Sequence, residues 1–102
     1  MAEVQITEKN FEAEVTRSEL PVLLDFYADW CGPCQMLSPT VAAIAKEYEG
    51  KVKVGRINVD DEPSLADAFR VTSIPLLVLM KNGRPSGSLL GYHAKEDIVK
   101  ML

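Results

Sequence analysis

The chain has 102 residues, of which 47% are hydrophobic and 25% charged, a balance that predicts one soluble globular domain spanning 1–102 and burying one core without cross-links. Eleven basic against fifteen acidic residues give a net charge of −4 with no cluster of Lys or Arg, which argues against nucleic acid or an anionic membrane surface as partner. The start Met1-Ala2-Glu3-Val4-Gln5-Ile6 is not a basic region followed by an apolar stretch, and no later run approaches the ~20 apolar residues of a membrane span, so a reducing, cytoplasmic compartment is expected.

Short β-type runs alternate with helix-length amphipathic segments. The pattern predicts a strand near Val4-Ile6, a helix near Glu8-Arg17, a strand at Val22-Ala28, a helix at about Cys34-Tyr48 and a strand at Val52-Val59. A short helix near Pro63-Phe69, a strand at Leu76-Met80, a strand near Ser86-Leu90 and a terminal helix from about Lys95 follow. This order is that of an α/β sheet covered on both faces. Val22-Ala28 and Val52-Val59 read as central parallel strands joined by a crossover helix, whereas Asn82-Gly83 signals a hairpin, so the sheet is expected to be mixed. Pro85 cannot donate to a ladder, which places the last strand at an edge or starts it after that residue, and Pro39 is expected to kink its helix.

The only two cysteines stand in Trp30-Cys31-Gly32-Pro33-Cys34, between an apolar strand and a helix. Half a zinc site has the same spacing, but there is no second cysteine pair and only one histidine, His93, leaving only a metal shared between two chains. In a reducing compartment a permanent structural disulfide is not expected, and a helix N-terminus favours the thiolate that attacks disulfides. Gly32 and Pro33 suit a tight turn into the helix. Cys31 reads as the more exposed, attacking sulfur, and Cys34, one turn inside the helix, as the resolving one.

Asp25 interrupts the apolar strand. Buried and ionised it would cost on the order of several kcal/mol. Its pKa is then raised, and it could exchange a proton with Cys34; the alternative is an acid facing solvent at the strand's edge. Pro75 in Ile74-Pro75 either opens a strand or marks a cis peptide. Trp30 is either core or an exposed contact residue, and Gly91 either admits a substrate backbone or ends a strand. Asp60-Asp61-Glu62 reads as capping and dipole-complementing acids for the helix begun by Pro63, and His93 carries no assigned role.

Asp25-Phe26-Tyr27-Ala28-Asp29-Trp30-Cys31-Gly32-Pro33-Cys34, then Pro39, Asn58-Val59-Asp60, Ile74-Pro75, Lys81-Asn82-Gly83 and Gly91, in this order, resemble the thioredoxin family over essentially the whole chain. The resemblance implies a central five-stranded mixed sheet flanked by four α-helices, Cys31 as nucleophile, Cys34 as resolving thiol and Asp25 as buried acid. It implies a cis Pro75 facing the dithiol, and a shallow docking surface made by Trp30, Gly32, Pro33, Ile74, Pro75 and Gly91 for disulfide-containing substrate proteins. It also implies a monomer that binds no cofactor, its electrons coming from NADPH through a separate flavoprotein, thioredoxin reductase. Tyr27, Gln35, Arg56, Leu76 and Tyr92-His93 depart from the common pattern, which has Trp, Lys, Lys and Thr at the first four. The reaction expected is reduction of protein disulfides; the rivals are an oxidase or isomerase and a binding subunit whose cysteines are incidental.

Overall fold

The computed structural model describes residues 2–102. Five strands form one sheet in the order β1-β3-β2-β4-β5: β1 (Glu3–Gln5), β2 (Val22–Tyr27), β3 (Lys53–Asn58), β4 (Leu76–Lys81) and β5 (Arg84–Leu90). β1 and β2 flank β3 in parallel, and β4 and β5 run antiparallel to their neighbours, so the sheet is mixed as expected. β2 lies at its centre because its residues are nearly all apolar and suit burial on both faces.

Side chains alternate across β2 and divide the interior in two. Val22, Leu24 and Phe26 pack with Val15, Leu65, Phe11 and Phe69, under a helical segment at Glu12–Thr16 and α2 (Pro63–Ala68). Leu23 joins Leu37, Val41, Ile44, Leu77 and Ile98 on the other face, beneath α1 (Gly32–Glu47) and α3 (Lys95–Met101). The exposed ends of these two helices are joined by an ion pair between Lys95 and Glu47.

The helix expected near Glu8-Arg17 is shorter and different in kind. Asn10 Oδ1 accepts the Thr7 amide at 2.8 Å, and its Nδ2 donates to the Gln5 carbonyl at 2.9 Å. That side chain ties the first residues into a turn, which the amides of Asn10 and Phe11 close by donating to the Thr7 carbonyl at 3.3 and 3.0 Å. The segment that follows is π-helical, with Arg17 donating to Glu12 at 2.9 Å.

The long helix begins at Gly32, two residues before the expected Cys34, and runs on past Pro39. Pro85 does lie within β5, at the edge of the sheet, and the register shifts there: Met80 pairs with Pro85 but Leu79 with Gly87. The hairpin before it turns through Asn82 and Gly83 at φ 53° and 76°, both in the left-handed region. A Cβ on Gly83 would lie 2.9 Å from the Thr16 carbonyl oxygen, a second reason for glycine there.

Candidate active site

β2 carries the chain into the bend before α1, so the dithiol segment stands at the C-terminal edge of the parallel strands. Cys31 is the N-cap of α1, with Gly32 and Pro33 in its first turn. The Cys34 amide donates to Cys31 Sγ at 3.2 Å, so this sulfur occupies the place a capping oxygen usually takes. In the dithiol form the same N–H and the helix dipole stabilise negative charge on Cys31. Here the two cysteines are joined as a disulfide across a Cα–Cα distance of 5.2 Å.

Both cysteines are buried, Cys31 5% and Cys34 3% exposed, so the expected contrast in exposure is slight. They pack with Ala28, and with the partly buried Tyr27, Val59 and Ile74. Their difference lies in position: Cys31 caps the helix, and Cys34 is within it.

The Ile74-Pro75 peptide is cis and brings the Ile74 carbonyl oxygen to 3.9 Å from Cys31 Sγ. Gly91 donates its amide to the Pro75 carbonyl at 2.8 Å, tying the end of β5 to this loop. Its φ of +86° favours glycine, and the space a Cβ would occupy is open. His93, half-buried, holds Nδ1 3.1 Å from the Gly91 carbonyl oxygen.

Trp30 is 71% exposed, which decides between core and surface. Its indole N–H donates to Asp60 Oδ2 at 2.8 Å. The capping role expected of the acids before Pro63 is thereby corrected: no side chain caps α2, and the Asp60 carboxylate instead orients Trp30. Asn58 Oδ1 fixes that loop by accepting the amides of Asp60 and Asp61. A cleft of about 140 Å³ lies between Trp30 and Ile74, lined also by Val59, Val71, Thr72 and Ser73.

Asp25 is 1% exposed, which excludes the solvent-facing alternative. Its Oδ2 lies 3.2 Å from Arg56 Nε, and Oδ1 has no hydrogen-bond partner. Burial pushes its pKa up from the ordinary 3.8 to about 6; the Arg56 guanidinium opposes the rise, and the nearby Glu3 adds slightly to it. Arg56 also lines a cleft of about 180 Å³ with Tyr27, Cys34, Gln35 and Ser38, so the acid's partner and the inner cysteine open on one space. The family resemblance marks Arg56 only as a departure from the common Lys; the signal that finds its role is register, since Arg56 pairs directly with Asp25 across β2 and β3.

Among the described residues, no group of three or more His, Cys, Asp or Glu is placed to hold a metal ion, and no helix is long and apolar enough to cross a membrane.

This sheet, with a Cys-X-X-Cys pair closed at a helix N-terminus beside a cis proline, defines a dithiol–disulfide oxidoreductase. The thioredoxin family model matches residues 2–102. Thioredoxin of Porphyra purpurea is 44% identical over 102 residues, covering all of this chain and 95% of its own. Thioredoxin of Rickettsia bellii is 42% identical over 97 residues, 95% of this chain and 92% of its own, and thioredoxin 1 of a Nostoc strain 42% over 101 residues, 99% and 94%. The chain belongs to the thioredoxin family and is a protein-disulfide oxidoreductase.

Proposed function

We propose that the protein works in the reducing direction and that its two sulfurs divide the reaction. The Cys31 thiolate attacks one sulfur of a substrate disulfide, forming a mixed disulfide and expelling the first substrate thiolate. The Asp25 carboxylate takes the proton of Cys34. The Cys34 thiolate attacks Cys31 Sγ, closing the Cys31–Cys34 disulfide and releasing the second substrate thiol after protonation. Two electrons pass to the substrate and are returned by thioredoxin reductase, a flavoprotein drawing on NADPH.

The observation that carries this reading is Cys31 at the N-cap of α1, its sulfur accepting the Cys34 amide. Trp30, Gly32, Pro33, Ile74, Pro75 and Gly91 form the docking surface, on which an extended substrate segment lies beside the Ile74 backbone. The chain acts as a monomer in a reducing cytoplasm and binds no cofactor of its own.

The reduction potential of the pair, measured by equilibration with defined thiol–disulfide buffers and trapping of free thiols, tests the direction. A value well below the glutathione pool is expected; one near or above it would mean an oxidising or isomerising role. In a binding subunit, function would survive replacement of both cysteines by Ser.

A further inference from the structure

Tyr27 and Arg56 are separate departures from the family pattern in the sequence, yet in the fold they are in contact. The Arg56 guanidinium carbon lies 3.9 Å from the centroid of the Tyr27 ring, and the Tyr27 hydroxyl accepts a hydrogen bond from Gln5 Nε2 at 3.0 Å. Gln5, Arg56 and Asp25 form one row across β1, β3 and β2, so the contacts run Gln5 to Tyr27 to Arg56 to Asp25 on one face of the sheet.

Arg56 has a second place to go. Its side chain is 19% exposed and borders an open cleft, so without a constraint its long, rotamer-rich chain can turn its charge toward water. A planar cation stacked on an aromatic face is held in one orientation, and a lysine ammonium has no such face to stack.

We propose that Tyr27 is a positioning residue: its ring clamps the Arg56 guanidinium against Asp25 and thereby sets the pH range in which the Asp25 carboxylate is available to the dithiol. This rests on the reading of Asp25 as proton acceptor given above. Charged groups facing Asp25 are Arg56 from β3 and Glu3 from β1. Its neighbour on β4 is Leu77; the cleft beside Arg56 is lined by the acid Asp29 from the loop before α1 and by Cys34 and the uncharged Ser38 and Gln35 from α1. Arg56 is thus the cation that offsets burial of the acid, and its placement decides how far the pKa rises.

The test is the titration of the Asp25 carboxyl carbon by NMR in the disulfide form, where no thiol titrates, compared with the pH profile of disulfide reduction. Tyr27→Ile, a strand-compatible change that removes the ring, should raise the Asp25 midpoint by about one pH unit or more, within the range an adjacent opposite charge supplies. Tyr27→Phe keeps the ring and should stay near the parent midpoint. In an Arg56→Gln background, Tyr27→Ile should add nothing. A folded Tyr27→Ile that titrates like the parent overturns the clamp, as does an undiminished shift without Arg56. If Tyr27→Ile does not fold, Tyr27→Val is read in the same way. A raised midpoint with an unmoved activity profile would support the clamp and overturn instead the role given to Asp25.

Discussion

The two faces of β2 are built to different ends. One face, through Val22, Leu24 and Phe26, is wholly apolar and meets an aromatic cluster in which the Phe69 ring lies 5.2 Å from Phe26 and 5.8 Å from Phe11. The other, through Leu23, Asp25 and Tyr27, begins apolar and becomes polar toward the dithiol, where a carboxylate is buried with one oxygen unpaired. A single strand thus holds the packing that stabilises the fold on one side and a buried, destabilising carboxylate on the other.

Breaking the apolar face gives the largest expected effect on stability. Phe26→Ala should cost about 3–5 kcal/mol in urea unfolding, from lost burial and the cavity left behind, while the reduction potential of the folded fraction stays close to the parent value. A potential that moved with stability would show that the two faces are not separable.

Asp25→Asn probes the other face and should act with the opposite sign. Asp25 has a folded pKa of about 6 against an ordinary 3.8, so above pH 6 the folded state carries a charge that costs about 3 kcal/mol relative to the unfolded chain. This cost declines as pH falls from about 6 and is gone below about 3.8. The variant should therefore be more stable than the parent by up to about 3 kcal/mol at pH 8, with no such gain near pH 3.5, when unfolding curves are compared at both.

Trp30→Ala removes an exposed ring rather than a core one. It should lower kcat/KM for a protein disulfide by roughly ten- to thirtyfold, equivalent to about 1–2 kcal/mol, and change reduction of a small synthetic disulfide much less. The smallest effect belongs to the Lys95–Glu47 pair, whose side chains are 41% and 50% exposed. Lys95→Ala should shift unfolding by less than about 1 kcal/mol, and less still at high salt.

Sequence patterning reached most of the frame because the signals involved are local. β2 and β4 declare themselves as apolar runs, Asn82-Gly83 as a hairpin turn, and the dithiol by its spacing before a helix. The first helical segment is expected over Glu8-Arg17 and found shorter and π-helical, with Arg17 donating to Glu12, a change of hydrogen-bond pattern that periodicity does not register. The contacts of Asp25 with Arg56 and of Trp30 with Asp60 join residues far apart in the chain, and depend on which strands become neighbours. The stacking of Arg56 on Tyr27 adds a requirement of orientation that no spacing encodes.

The irregular pairing around Pro85 bears on how such a protein behaves in crowded solution. Exposed sheet edges are templates for another chain, and here one edge ends in a strand of three residues while the other carries a proline and a broken register. Both edges are poor templates for strand-to-strand pairing, so copies of the chain that collide at high concentration are held back from joining into aggregates.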